Sequence, residues 1–201
     1  MIAILDYGAG NVASVQKALT HLGRLSILTA DPAQIRAADC VVFPGQGHFG
    51  QAMHRLRQTG LDRVLLETIH AGKPFVGICL GLQLLFDGSD EAPGVPGLGV
   101  LRGHCVAFKP PEKVPQIGWN SVRRVRQGTP LDAVANDAYF YFVHTYHAVA
   151  TDAADVVGTA DYGGDFTAAV QRDNLFAAQF HPEKSGDVGL ALLARATELS
   201  C

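Results

Sequence analysis

Five residues, Gly77-Ile78-Cys79-Leu80-Gly81, join an apolar run, Pro74-Phe75-Val76-Gly77-Ile78, directly to a helix-like run, Leu82-Gln83-Leu84-Leu85-Phe86. A strand that meets a helix through so tight a turn has no room for bulky side chains, and a glycine stands two residues to each side of the cysteine. This is the pattern of a nucleophile elbow, whose central residue is held in a strained backbone conformation and projects from the end of a sheet. The helix that starts there aims its N–H groups and positive dipole end at the side chain, which favours an anion. The pattern predicts a strand over Phe75–Ile78, a helix over Leu80–Phe86, and Cys79 as a nucleophile. A cysteine on an apolar strand is, taken alone, more often a small buried hydrophobe. A reacting thiol also needs a base.

A base is available near the other end of the chain. Phe180-His181-Pro182-Glu183 closes the apolar run Leu175-Phe176-Ala177-Ala178-Gln179-Phe180. If the segment is extended, residues 181 and 183 fall on one side of it, because side chains alternate with period two. Glu183 then reaches one ring nitrogen of His181 and leaves the other to accept the thiol proton, a Cys-His-Glu triad. A His-Pro-Glu tripeptide by itself is usually a turn. An elbow cysteine and a His-x-Glu at the ends of two strand-like runs are together a much stronger signal.

The rest of the first half alternates apolar with amphipathic stretches. Strands are expected at Ile2–Leu5, Leu25–Leu28 and Cys40–Phe43, and helices at Asn11–Leu22 and around Phe49–His70. Such alternation predicts an α/β fold, a mostly parallel twisted sheet flanked by helices. Ligands of such sheets bind beyond the carboxyl ends of the strands. Cys79, Pro44-Gly45-Gln46-Gly47 and Asp6–Asn11 all follow strands in this way. The second half is richer in strands, expected at Val100–Phe108, Ser121–Val125, Tyr139–Val149, Val156–Thr159, Thr167–Gln171 and Leu175–Phe180, before a last helix over Asp187–Leu199. Ala92–Gly99 reads as a loop within one core.

A chain of 201 residues with 48% hydrophobic residues supports one domain over 1–201. A formal charge of −3 argues against a general nucleic-acid binder. No run of about 18 apolar residues occurs, so no membrane partner is expected, and Met1–Asp6 reads as a first strand rather than a signal peptide. The four cysteines, at 40, 79, 105 and 201, show neither metal-like spacing nor disulfide density. A cytoplasmic protein fits.

Attack of a thiol on an acyl carbon passes through a tetrahedral oxyanion that needs preorganised donors. The elbow offers the backbone N–H of Leu80, the residue after the nucleophile. A second donor is available in Pro44-Gly45-Gln46-Gly47, whose glycines let the backbone approach a ligand and permit a peptide to flip; the plainer alternative is a turn. Two other patterns carry less. Gly8-Ala9-Gly10-Asn11-Val12-Ala13 fits a dinucleotide fingerprint on paper, but Asp6 and Tyr7 intrude after the strand and would set a carboxylate near a pyrophosphate. His144 and His147 lack a third metal ligand at suitable spacing, so no metal is expected.

The same residues carry a resemblance. Gly77-Ile78-Cys79-Leu80-Gly81 with Gln83, and His181-Pro182-Glu183, resemble the class I (triad) glutamine amidotransferases. Glu91-Ala92-Pro93-Gly94, Ile117-Gly118-Trp119-Asn120, Tyr141-Phe142-Val143-His144-Thr145-Tyr146 and His181-Pro182-Glu183-Lys184-Ser185 resemble, more narrowly, the glutaminase subunits of imidazole glycerol phosphate synthase. The resemblance implies a flavodoxin-like amidotransferase fold, no cofactor, and hydrolysis of L-glutamine by Cys79, His181 and Glu183. It implies oxyanion donors from the backbone at Gln46 and Leu80. Many relatives have an apolar residue where Gln46 stands, which leaves the backbone donor in place. Glutamine would be held by Gln83, Glu91 and the backbone around Gly47, Thr145 and Tyr146. Asn11, Trp119 in its Gly-Trp-Asn loop, Tyr141 and Lys184 would face a (β/α)8 cyclase subunit that receives the ammonia for histidine synthesis. Two rivals remain, a glutaminase subunit serving pyridoxal phosphate synthesis and a stress-sensing protein whose reactive thiol hydrolyses nothing.

Overall fold

The computed structural model describes residues 1–8 and 11–199; Ala9 and Gly10 of the first glycine-rich stretch, and Cys201, lie outside the described residues. Four parallel strands come from the first half: β1 (Ile2–Leu5), β2 (Ser26–Thr29), β3 (Cys40–Gly45) and β4 (Phe75–Cys79). A fifth, β12 (Leu175–Ala178), pairs with β4 in parallel. From there the sheet turns antiparallel through β11 (Asp165–Arg172), β10 (Val156–Asp161), β7 (Gln116–Arg124) and β8 (Ala138–His144), in the order β2-β1-β3-β4-β12-β11-β10-β7-β8. Most of the strand-rich second half is thus a continuation of the same sheet. Its strand β12 returns beside the elbow strand, so the strand ends that precede Cys79 and His181 become neighbours through chain topology: Ala178 pairs with Ile78.

Alternation along these strands divides the core in two. Ala3, Leu5, Val41, Phe43, Phe75 and Ala177 point to one face, covered by α2 (Pro32–Ala37), α3 (Phe49–Thr59) and α4 (Leu61–His70). Ile2, Ile4, Val42, Val76, Ile78, Phe176 and Ala178 point to the other, covered by α1 (Val12–His21) and α6 (Gly186–Ala196). Near-continuous apolar runs are what strands buried on both faces require.

Local chemistry sets the helix ends. Asn11 caps α1 by accepting from the Ser14 N–H at 3.4 Å, and Asp31 caps α2 ahead of Pro32. The expected single helix over Phe49–His70 is two, because Gly60 adopts a left-handed conformation (φ 71°) that ends α3 and opens α4. The expected helix over Leu80–Phe86 is shorter, α5 (Leu80–Gln83), with the following residues in turns. The expected strand Tyr139–Val149 is also two. At Thr145 the chain leaves the large sheet, and β9 (Tyr146–Ala150) joins β5 (Gly88–Ser89) and β6 (Gly103–Ala107) in a small second sheet. Among the described residues no helix is long and apolar enough to cross a membrane.

Candidate active site

Cys79 ends β4 and precedes α5 with φ 55° and ψ −109°, a conformation that L-residues adopt only under constraint. The constraint is packing of the helix start onto the sheet. A Cβ on Gly81 would lie 2.0 Å from the Phe43 carbonyl oxygen, and one on Gly77 would lie 2.9 Å from the Ala177 Cβ. Both glycines are therefore required by close approach, and the thiol is left at the carboxyl end of the central strands.

His181 arrives beside it because β12 is the parallel neighbour of β4 and because β8 holds the following segment: the His181 N–H donates to the Tyr141 carbonyl at 2.9 Å, and the Ser185 hydroxyl accepts from the Tyr141 N–H at 3.0 Å. The segment is not extended, as the alternation argument supposed. Pro182–Lys184 is a single 3-10 turn, and that turn brings the Glu183 carboxylate to Nδ1 of His181 at 2.8 Å. The bond holds Nδ1 protonated and turns Nε2 toward the thiol. Nε2 is buried and has no protein hydrogen bond of full geometry. Burial acts to lower the pKa of His181, but the sulfur of Cys79 and the carboxylate of Glu183 outweigh it and raise the group to about 10. The imidazole is thus poised as a cation next to sulfur. Burial pushes Cys40 and Cys105 up to about 12, so neither is a competing thiolate near neutral pH.

A cleft of about 280 Å³ opens over Cys79. Of the residues anticipated from sequence, Gln46, Gly47, Leu80, Gln83, Glu91, Thr145, Tyr146, His181 and Lys184 border it with Cys79, while Glu183 is buried behind His181. Gly45 of β3 is in register with Cys79, and a Cβ there would meet Leu80, Tyr7 and the Gly81 nitrogen at 2.8–2.9 Å. The Gln46–Gly47 segment is therefore anchored at its start, and Gly47 (φ 97°) has open space around it. Glu91 accepts from the Phe49 N–H at the start of α3 at 2.7 Å. The Gln83 amide nitrogen donates to the Tyr146 carbonyl at 2.8 Å and to the Gln179 side-chain oxygen at 3.0 Å, which leaves its own oxygen as the free hydrogen-bonding atom of that amide.

Several neighbours of the cleft were not anticipated as site residues. Val143 offers its carbonyl to the thiol at 3.9 Å. His144 donates from Nδ1 to the Tyr146 carbonyl at 2.9 Å, and burial holds it down at about 3, hence neutral. Both sit in the Tyr-Phe-Val-His block, which did mark the region. Pro115, another neighbour, carried no sequence signal. The Gln179 amide nitrogen lies 3.7 Å from the sulfur, and its position just before the His-Pro-Glu turn was the available clue. Among the described residues no group of three or more His, Cys, Asp or Glu is placed to hold a metal. In the candidate dinucleotide stretch, Asp6 itself accepts from the Gly8 N–H at 3.0 Å, occupying a donor that a phosphate would need.

The outer face of β7 and β8 adjoins the cleft. Gly118-Trp119-Asn120 is part of β7, not a loop. Trp119 is 57% exposed and packs edge-on against Tyr141, its partner across the strands, at 6.2 Å between ring centres. Lys184 lies over the Tyr141 ring at 5.9 Å, and Ile117 and Tyr139 are exposed on the same face. Asn11 opens α1, which packs against the Pro182–Lys184 turn.

A profile of the family described as "Glutamine amidotransferase class-I" matches residues 3–196. The chain is 44% identical to "Imidazole glycerol phosphate synthase subunit HisH 1" of Methanococcus maripaludis, covering 99% of this chain and all of that one. It is 49% identical to the HisH subunit of Deinococcus radiodurans, covering 96% and 91%. Among solved structures, one titled "Crystal structure of glutamine amidotransferase" superposes with a TM-score of 0.76 at 18% identity, covering 97% of this chain and 98% of that one. "Structure of PurLQS from Thermotoga maritima" superposes with a TM-score of 0.75 at 17% identity, covering 97% and 96%. These two speak for the fold alone. With an elbow cysteine, a histidine held by a glutamate, and near-full-length identity in the forties, the chain belongs to the class-I glutamine amidotransferases, in the family of imidazole glycerol phosphate synthase HisH subunits.

Proposed function

We propose that Cys79, His181 and Glu183 hydrolyse L-glutamine and that the ammonia passes to a (β/α)8 cyclase subunit docked over the cleft. The chain is a glutamine amidotransferase, the glutaminase subunit of imidazole glycerol phosphate synthase in histidine biosynthesis. The observation that carries the residue assignment is the constrained Cys79 beside His181, with Glu183 on the far ring nitrogen at 2.8 Å.

Sulfur attacks the side-chain amide carbon while His181 holds the thiol proton. The tetrahedral oxyanion is met by the backbone N–H of Leu80 and, after a peptide flip at Gln46–Gly47, by a second N–H. His181 passes its proton to the departing nitrogen, ammonia leaves, and a glutamyl thioester remains. Water then adds to the thioester with His181 as base. The second tetrahedral species expels the sulfur, glutamate departs, and the proton returns to Cys79. The Gln83 oxygen and Glu91 suit the substrate ammonium, and the backbone at Gly47, Thr145 and Tyr146 suits its carboxylate and amide. Residues 1–201 act as one amidotransferase domain in the cytoplasm.

The exposed Trp119, Tyr141 and Lys184 face is the docking surface in this reading, with Asn11 beside it; its aromatic content is what interfaces favour. The test is Cys79→Ser in the complex with the cyclase. Glutamine-dependent synthesis is expected to vanish while synthesis from free ammonium persists. Labelling by 6-diazo-5-oxo-norleucine at Cys40 or Cys105 rather than Cys79 would overturn the assignment.

A further inference from the structure

Gln179 is fully buried, carries no charge, and stands two residues before His181, just past the end of β12. Its backbone N–H donates to the Ala168 carbonyl at 2.8 Å, which fixes the residue at the end of β12 beside β11. The orientation of its carboxamide follows from its neighbours. The Tyr146 carbonyl can only accept, so the end of Gln83 that faces it must be the nitrogen. That same nitrogen meets Gln179 at 3.0 Å, so Gln179 must present oxygen to Gln83. The Gln179 nitrogen is then turned to the Cys79 sulfur, 3.7 Å away. A flipped carboxamide would set two NH2 groups against each other and a carbonyl against the sulfur.

The sulfur therefore has an acceptor on one side and a donor on another. The Val143 carbonyl takes the thiol hydrogen at 3.9 Å and favours the neutral form. An N–H held toward sulfur does the opposite, since hydrogen bonds to charged groups are about twice as strong as neutral ones. His181 also favours the thiolate, but it must give up its proton to the departing ammonia. Gln179 never titrates, so its donor stays in place throughout.

We propose that Gln179 is a catalytic residue: its carboxamide N–H, locked in direction by Gln83, stabilises the Cys79 thiolate both as nucleophile and as the leaving group of thioester hydrolysis. The proposal rests on Cys79 being the nucleophile. The experiment uses the complex with the cyclase and compares Gln179→Met, which keeps the length and loses the donor, with Gln179→Glu. Glutamate keeps an oxygen for Gln83 but turns an oxygen to the sulfur.

The readouts are kcat and KM for glutamine, and the rate of Cys79 alkylation by iodoacetamide. Gln179→Met is expected to lower kcat roughly 10- to 100-fold, the range for losing a hydrogen bond to a charged group, with KM changed little and alkylation slowed in parallel. Gln179→Glu is expected to fall further at mildly alkaline pH. A merely structural role predicts the reverse order, because glutamate preserves the Gln83 contact; that order, or wild-type kcat in Gln179→Met, overturns the proposal. If Gln179→Met does not support ammonium-dependent synthesis in the complex, Gln179→Asn, which draws the donor back by one methylene, is expected to show the same loss of kcat, and wild-type kcat there overturns it equally. Cys79→Ser runs in parallel. If it still hydrolyses glutamine, the triad assignment fails; if it is dead and Gln179→Met is fully active, only the role of Gln179 fails.

Discussion

Two buried histidines at this site are driven in opposite directions. His181 is raised from 6.5 to about 10 in the folded chain, against the effect of burial, by Cys79 and Glu183. Its contribution to stability is present below about pH 6.5 and is lost as pH rises toward 10. His144 is lowered from 6.5 to about 3, by burial first, so its contribution is present above about pH 6.5 and is lost as pH falls toward 3. Urea midpoints measured across pH should therefore fall on both sides, with His181→Gln flattening the alkaline limb and His144→Leu the acid limb. Unchanged slopes in both variants would clear these residues of responsibility. For turnover, His181→Ala should cost about 10,000-fold or more in kcat, since the proton acceptor itself is gone. Glu183→Ala should be milder by about 10-fold or more, because the imidazole remains with only its orientation loosened. Equal losses would mean that Glu183 does more than orient.

At the scale of elements, two glycines separate strain from collision. Gly60 sits at the α3–α4 junction in a left-handed conformation with nothing near its Cα substituent position. Gly60→Ala should therefore cost only the conformational term, about 1 kcal/mol, and leave glutamine hydrolysis intact. Gly81→Ala has no such room, because its Cβ would sit 2.0 Å from a backbone oxygen of β3. It should destabilise by about 3 kcal/mol or more and take the elbow with it, as thermal unfolding and Cys79 alkylation of the same sample would show. A Gly81→Ala chain with parental stability and reactivity would mean that α5 does not need its close seat on β3.

For the whole molecule, the apolar outer face of β7 and β8 and the cleft share Lys184, so what docks on the one can act on the other. A glutaminase that ran without an acceptor would waste glutamine, and the segment suited to hold it off is Gly45-Gln46-Gly47. Glutamine turnover should be nearly silent in the isolated chain, rise in the complex, and rise again when the cyclase site is occupied. Losing one oxyanion donor costs about 100- to 1000-fold, which sets the scale of that silence. Trp119→Ala and Lys184→Ala should blunt the rise while changing the stability of the free chain by no more than about 0.5 kcal/mol, as expected for surface positions. Full activity in the isolated chain would point instead to a stand-alone amidase.

The elbow, the parallel first half and the grouping of Cys79, His181 and Glu183 were legible in the amino-acid sequence because each rests on local chemistry. Glycine spacing around Cys79, unbroken apolar runs in doubly buried strands, and His-Pro-Glu after such a run constrain the backbone within a few residues. Even there the local reason went astray once: His181 and Glu183 meet through a 3-10 turn and not through an extended segment. What only the tertiary structure decided is everything that depends on which strand lies next to which. The return of β12 to the side of β4 sets Gln179 against sulfur, and the departure of the chain from the large sheet at Thr145 builds one wall of the cleft. Strand order is set by how distant apolar faces are buried together, and no period or motif within a single stretch of sequence carries that information.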